Sequence, residues 1–255
     1  MFKLVSFLFL ATVSFNSFAQ QDEKSGKFVE VPLDHLFVIS EGFDTNDPVQ
    51  VMALTTLKNA CYTRLGRPQV QIDTEKQEVR LVQTAFKRND GVCQNEEQLP
   101  PDLKIPHSYE KEIDFDEISI PGKYKVIYQT KNGLEAKELG IAQAPVADVD
   151  SLRYAMVTNA FADVEGAKHS KEFEVRITGY LNSSCAELKE DSKIQKVGDV
   201  YVALLEVGVS DDICLPTTKP FYKIFKVETP PEGTYLLHAR SLGGQSKNHV
   251  FRVKK

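Results

Sequence analysis

The chain has 255 residues, a formal net charge of −5, and 26% charged side chains. This mild acidity argues against nucleic acid as a partner, because nucleic-acid-binding proteins are usually basic. The length is sufficient for two domains of roughly 100 residues each.

Residues 1–19 have the pattern of a secretory signal peptide. Lys3 precedes an apolar run from Leu4 to Val13, and Ser17 and Ala19 follow as small residues before a cleavage site. The alternative, an N-terminal membrane anchor, is disfavoured because a spanning helix needs about 20 apolar residues. No later stretch is apolar enough to be a membrane helix. We therefore expect export to the periplasm or the extracellular space, with a flexible polar N-terminus over residues 20–30.

Period-two alternation of apolar and polar residues predicts β-strands through the rest of the chain. The only helical window, residues 185–193, is short and polar. The predicted strands are Leu36–Ser40, Val49–Leu57, Val70–Asp73, Val79–Phe86, Tyr109–Phe115, Lys123–Thr130, Glu135–Ile141, Arg153–Phe161, Phe173–Leu181, Ile194–Val197, Val200–Val209, Phe221–Val227, Thr234–Arg240 and Val250–Val253. About seven short strands in each half predict an all-β protein of two sandwiches or barrels.

Two stretches, residues 55–93 and 179–214, share one pattern of strand, cysteine, polar loop, strand and cysteine. They indicate one module present twice, as a first β-sandwich over residues 31–142 and a second over 152–255. Residues 143–151 are small, polar and proline-bearing, which is typical of a linker.

The four cysteines, in an exported chain, are expected to form disulfides. Sequence alone allows three connectivities, and the repeated pattern favours Cys61 with Cys93 and Cys185 with Cys214. A four-thiolate metal site is the alternative, and it is disfavoured because no C-x-x-C spacing is present.

Each half also carries a Gly-x-Tyr sequence at the start of a predicted strand: Gly122 with Tyr124, and Gly233 with Tyr235. This motif resembles the turn into the sixth strand of immunoglobulin-like sandwiches, where a tyrosine hydroxyl bonds to the backbone as a tyrosine corner. Over residues 30–255 the chain is similar to the tandem immunoglobulin-like or fibronectin-like domains of secreted bacterial proteins. The resemblance implies two sandwiches of about seven strands, and Tyr124 and Tyr235 as structural corners.

The resemblance is incomplete, and it concerns architecture alone. The chain contains no tryptophan, whereas antibody-type domains bury one in the core. The cysteines fall after the second and fourth predicted strands instead of on the second and sixth. Because this fold carries many functions, the resemblance implies none of them.

Motifs for catalysis, cofactors and metals are missing from the sequence. The histidines follow no metal-ligand spacing and are expected on the surface or in loops: His35, His107, His169, His238 and His249. Ser210 lies in a Gly-Val-Ser-Asp-Asp string that lacks the second glycine of a nucleophile elbow. We therefore predict no catalytic residue, no cofactor and no metal ligand.

Acidic residues cluster after the first predicted disulfide. With Ile113 and Phe115 facing inward, Glu112, Asp114 and Asp116 would share the opposite strand face. A calcium site is one interpretation, because hard oxygen ligands suit that ion. A solvated strand face is favoured here, and also for residues 44–47 and 148–150, because no ion-binding loop signature accompanies them.

Two functions from different classes fit these features. The first is a non-enzymatic binding or structural protein of the bacterial cell envelope, whose partner is an envelope or extracellular protein or glycan. Its candidate contact surface is the loop 94–108, with apolar Leu99, Leu103 and Ile105. The favoured alternative for these three side chains is that they tuck under the loop onto the first sandwich.

The second function is a hydrolase, or an accessory domain of one, that acts on envelope polymers. Scattered Asp and Glu residues would have to be brought together by the fold as a carboxylate pair. A deep pocket with two facing carboxylates would favour this alternative over the binding protein.

Overall fold

The computed structural model describes residues 26–39, 43–45, 49–115, 118–144, 154–165, 170–210 and 213–254. Within these ranges the chain forms twenty β-strands, three short 3-10 helices and no α-helix, which confirms the all-β class. The expected signal peptide and most of the expected linker lie outside the described residues.

Three sheets make up the first half of the chain. Its strands are β1 Gly26–Glu30, β2 His35–Phe37, β3 Phe43–Asp44, β4 Gln50–Leu57, β5 Tyr62–Leu65, β6 Gln69–Asp73, β7 Glu78–Val82, β8 Thr84–Arg88, β9 His107–Asp114, β10 Gly122–Thr130 and β11 Gly133–Ala142. The sheet orders are β2–β4–β9, β3–β11–β10–β7–β6 and β1–β8–β5. Two 3-10 helices, Glu96–Gln98 and Pro101–Lys104, lie between β8 and β9.

The second half also forms three sheets. Its strands are β12 Met156–Asp163, β13 Glu172–Ser183, β14 Ala186–Leu188, β15 Lys193–Val197, β16 Val200–Leu204, β17 Val207–Val209, β18 Pro216–Glu228, β19 Gly233–Arg240 and β20 Ser246–Val253. The sheet orders are β12–β13–β18, β15–β16–β19–β20 and β14–β17. A 3-10 helix, Leu242–Gly244, joins β19 to β20.

Strand pairing follows the same order in both halves. β4 lies between β2 and β9, and β13 lies between β12 and β18. β10 pairs parallel to β7 and antiparallel to β11, as β19 does with β16 and β20. Every strand pairing in the described ranges stays within one half of the chain.

Both predicted disulfides are present, Cys61–Cys93 and Cys185–Cys214. Both predicted tyrosine corners have the expected hydrogen bond. The Tyr124 hydroxyl donates to the Ile120 carbonyl at 2.8 Å, and the Tyr235 hydroxyl donates to the Pro231 carbonyl at 2.9 Å. Each bond satisfies a partly buried phenol while its ring packs inside its own half.

Several strand predictions need correction. The predicted strand Val79–Phe86 is broken at Gln83, after which the chain leaves one sheet for another, and Val200–Val209 is broken in the same way after Leu204. Residues 26–30, expected to be flexible, form β1 and pair with β8. The helical window 185–193 contains the strand β14 instead.

In the sheet β15–β16–β19–β20, the two central strands β16 and β19 are buried on both faces. On β16, Tyr201 and Ala203 face the core of the second half, whereas Val200 and Val202 join the core cluster of the first half. Leu236 on β19 belongs to that same cluster. The two halves therefore share a buried sheet-to-sheet interface, in place of the end-to-end arrangement that a simple linker would give.

Candidate binding surface

The predicted contact loop 94–108 packs mostly against its own half. Leu99 is only 3% exposed, and it clusters with Leu57 and the Cys61–Cys93 disulfide. Leu103 packs against the same cluster, and only Ile105 projects into solvent. The loop therefore covers a small core, and two of its three candidate contact residues are unavailable to a partner.

Charge also holds this loop in place. Glu96 forms ion pairs with Lys58 at 2.7 Å and with Lys87, and it accepts a hydrogen bond from Asn59. Partial burial raises the pKa of Glu96, but the hydrogen bonds from these three side chains lower it to about 2. The carboxylate therefore stays ionised and keeps the loop fixed.

Polar side chains of the two halves meet at the edges of the interface. His35 and Lys137 both donate to the same carboxylate oxygen of Asp199, at 2.5 and 2.7 Å. Burial raises the pKa of Asp199, and these two donors together bring it below its usual range. Asp199 lies in the turn between β15 and β16, so this contact ties the hairpin to the first half.

The expectation that His238 lies on the surface or in a loop is wrong, because it lies on β19 and is 3% exposed. Its Nδ1 donates to Asn248 Oδ1 at 2.8 Å, and the Asn248 amide donates to Glu112 of the first half. Burial in the interface lowers the pKa of His238 to about 4, so it is neutral at pH 7.

The acidic face of β9 is partly covered instead of fully solvated. Besides Glu112, Asp114 accepts a hydrogen bond from Gln50, whose own oxygen accepts one from Ser246 of the second half. Asp116 lies outside the described residues. In the part of the chain that the structure describes, no three His, Cys, Asp or Glu side chains group as a metal site.

The outer face of the sheet β12–β13–β18 contrasts with this covered surface. On β13 the residues Phe173, Val175 and Ile177 alternate into the core, so the residues between them point outward. The outer face consists of Met156, Thr158, Asn159, Phe161, Asp163, Glu174, Arg176, Thr178, Tyr180, Pro220, Tyr222, Ile224 and Lys226. Its apolar members are well exposed: Tyr222 by 59% and Ile224 by 44%.

In the first half, the corresponding face belongs to the sheet β2–β4–β9, and the second half covers it. Met52 and Leu54 alternate with the inward residues of β4, and they are only 7% and 8% exposed. The equivalent face in the second half, the outer face of β12–β13–β18, is not covered by any described part of the chain. The uncovered outer face of β12–β13–β18 is therefore the candidate binding surface.

One of the two edge strands of this sheet, β18, is protected against strand addition. β18 carries Pro216 and Pro220, which have no backbone N–H, and the lysines Lys219, Lys223 and Lys226. Prolines and lysines on an edge strand disfavour pairing with another chain. These features disfavour the addition of a partner strand at β18 and leave the face of the sheet as the candidate docking surface.

A cleft of about 580 Å³ adjoins this face at one end of the second half. Its lining combines Phe161 and Pro230 with charged side chains of both signs, including Asp163 and Arg252. The Asp163 carboxylate forms an ion pair with Arg176 at 2.9 Å. Glu165 and Glu232 also line the cleft, so three carboxylates border it.

Apolar residues at outward strand positions are the sequence feature that marks this surface. Tyr180, Tyr222 and Ile224 occupy outward positions in alternating strands, where polar residues are expected. Among the described residues, no helix has the length and apolar character needed to cross a membrane. The chain matches no protein-family model, no curated protein and no solved structure.

Proposed function

We propose that the chain is an exported, non-enzymatic binding or structural protein of the bacterial cell envelope. It consists of two tandem immunoglobulin-like β-sandwiches that are held together as one unit. The outer face of β12–β13–β18 binds its partner, and that partner is a protein.

Three observations support the tandem architecture. The two halves repeat the same order of strand pairing, each contains one disulfide, and each contains one tyrosine corner. A Gly-x-Tyr turn with its backbone hydrogen bond is a feature of immunoglobulin-like domains. Duplication of one module accounts for all three observations together.

Export is supported by the cysteine chemistry and by the N-terminal sequence. Disulfides persist in oxidising compartments outside the cytoplasm, and both pairs of cysteines are joined. The apolar run and small residues of positions 1–19 supply the pattern of a signal peptide.

The uncovered outer face of β12–β13–β18 is the observation that carries the binding function. Exposed aromatic, methionine and arginine side chains are enriched at the centres of protein interfaces, and this face presents Tyr180, Tyr222, Met156 and Arg176. Met156 supports a protein as the partner, because methionine is over-used at protein surfaces that bind other proteins.

A capture experiment tests this function. The purified protein is immobilised and exposed to solubilised envelope from its own organism, and the retained proteins are identified by mass spectrometry. A Tyr222→Ser/Ile224→Asp variant should retain at least about tenfold less of the specific partner, because hot-spot residues carry most of the binding energy. A Leu134→Asp variant is the matched control, since Leu134 is an exposed apolar residue on the first half. Equal retention by all three proteins would contradict the proposal.

A further inference from the structure

We propose that the β12–β13–β18 outer face pairs with the same face of a second copy of this chain, about a twofold axis parallel to β13. This inference rests on the proposed function, because it names the partner of the same surface. The supporting observation is the register of the outward side chains across β12, β13 and β18.

Register places the outward residues in rows across the sheet. One row is Met156, Tyr180 and Pro220, and a second is Phe161, Arg176 and Ile224. A third row is Asn159, Thr178 and Tyr222, and a fourth is Asp163, Glu174 and Lys226. In each row the middle residue belongs to β13, the first belongs to β12 and the last belongs to β18.

A twofold axis along β13 lays β12 of one copy over β18 of the other. The rows then become self-complementary: Phe161 faces Ile224, and Asp163 faces Lys226, each twice by symmetry. Met156 likewise faces Pro220. Tyr222 faces Asn159, whose amide is within the reach of a phenol hydroxyl across the axis. The other three rows match apolar with apolar side chains or a carboxylate with an ammonium, which is the pattern that an isologous interface requires.

The outward residues of β13, which lie on the twofold axis, are compatible with this symmetry. Arg176 forms ion pairs with both Asp163 and Glu174 of its own copy, at 2.9 and 3.1 Å. Its charge is therefore compensated before a second Arg176 approaches across the axis. The like-charged residues on the axis thus meet as neutralised groups.

The alternative contact between two copies is a head-to-tail stack. In it, the sheet β3–β11–β10–β7–β6 of one copy lies on the β12–β13–β18 outer face of another. That free sheet presents charged pairs on its outer side. Arg80 pairs with Glu78 at 3.6 Å, and Lys123 pairs with Glu138 at 3.0 Å. Burying these charges against Tyr222 and Ile224 would cost desolvation energy without new partners.

The face is small for a protein–protein interface. Three strands about 4.8 Å apart, over about eight residues, give roughly 400 Å² of sheet plane. A standard interface buries about 800 Å² on each partner, so this contact is at the small end of the range. We expect a weak dimer, with a dissociation constant on the order of 0.1 mM.

Sedimentation equilibrium of the whole protein, from about 10 µM to about 1 mM, tests this inference across the expected range. The wild type should shift from monomer to dimer over that range. Ile224→Asp and Phe161→Lys should each raise the dissociation constant at least about tenfold. Mixing these two variants should restore dimer formation, because the axis brings the substituted positions of the two copies together. Urea unfolding of each variant checks that it remains folded, since Phe161 also packs on His249 at 4.8 Å.

The remaining outcomes overturn the inference. A wild type that stays monomeric over the whole range contradicts a second copy as the occupant. Dimerisation that Leu134→Asp weakens, or that Ile224→Asp leaves unchanged, places the contact on another surface. If the wild type is monomeric but Ile224→Asp still abolishes capture of an envelope protein, the proposed function stands and the second copy is rejected.

Discussion

Lys137 Nζ donates a hydrogen bond to Asp199 Oδ2 at 2.7 Å, and this contact joins the two halves of the chain. His35 donates to the same oxygen. Nearby, the apolar centre of the interface is formed by Val200 and Val202, which pack into the core of the first half. A polar anchor beside an apolar centre fixes one relative position of the two sheets, because sliding would leave the partly buried Asp199 carboxylate without donors.

Replacement of Asp199 should destabilise the whole chain. Asp199→Asn removes the charge that His35 and Lys137 compensate, and we expect the free energy of unfolding to fall by about 1–3 kcal/mol. Asp191→Asn, at an exposed position of the same half, should change it by less than about 0.5 kcal/mol. Urea unfolding at pH 7 measures both. Equal effects of the two substitutions would mean that the anchor contributes nothing.

The tyrosine corners should each contribute through a single hydroxyl. Tyr124→Phe and Tyr235→Phe keep the buried rings but remove the bonds to Ile120 and Pro231. We expect each to lower the free energy of unfolding by about 1 kcal/mol. Tyr180→Phe, on the exposed sheet face, is the matched control. If both corner variants unfold at the wild-type urea concentration, the hydroxyls have no structural role.

His238 should make the stability of the protein depend on pH. In the unfolded chain it titrates near its ordinary pKa of 6.5, whereas burial lowers the pKa in the folded chain to about 4. Between these values the unfolded state binds more protons, so stability falls as the pH is lowered from 6.5 to 4. The full difference is about 3 kcal/mol.

The comparison of wild type with His238→Gln isolates this effect. Asp199 and Glu96 have lowered pKa values, so their protonation in acid also reduces the stability of the fold. This reduction is the same in both proteins. The variant should therefore lose about 3 kcal/mol less than the wild type between pH 6.5 and 4. The result is read from the slope of the free energy of unfolding against pH. A constant loss of stability in the variant at neutral pH does not change that slope. Parallel curves would show that His238 does not titrate as a buried group.

The two disulfides should differ in their contributions. Each closes a loop of about 30 residues, for which the chain-entropy model gives about 3 kcal/mol. Cys61 and Cys93 also lie in a buried cluster with Leu99, whereas Cys185 and Cys214 are only partly buried. Double replacement by alanine should therefore cost more at the first pair than at the second, because a cavity adds to the lost constraint. Equal losses in urea unfolding would contradict a packing role for the first disulfide.

The pattern of the sequence was enough to predict most strands, because alternation and turn residues are local signals. It also predicted both disulfides and both tyrosine corners, since the repeat supplied the pairing. The sheet changes at Gln83 and after Leu204 were missed. A strand that crosses between sheets keeps its alternation, so only the pairing partners show the break.

The interface between the halves could not be derived from alternation alone. Its signal is the continuous apolar run Val200–Leu205, which is typical of a strand buried on both faces. For the contact loop the sequence left two interpretations open, a contact surface or a small core beneath the loop, and it favoured the second. Leu99 and Leu103 do pack under the loop onto a small core of their own half.

Thiol accessibility tests the central claim, which is that β16 is buried between the halves while the outer face of β12–β13–β18 is free. Because all four native cysteines are in disulfides, Val202→Cys and Ile224→Cys each introduce a single thiol. Val202 is 7% exposed and Ile224 is 44% exposed. In the native protein at low concentration, we expect a thiol reagent to label the Ile224→Cys variant rapidly, and the Val202→Cys variant only after unfolding. Equal labelling of both variants in the native state would contradict this arrangement of the two halves.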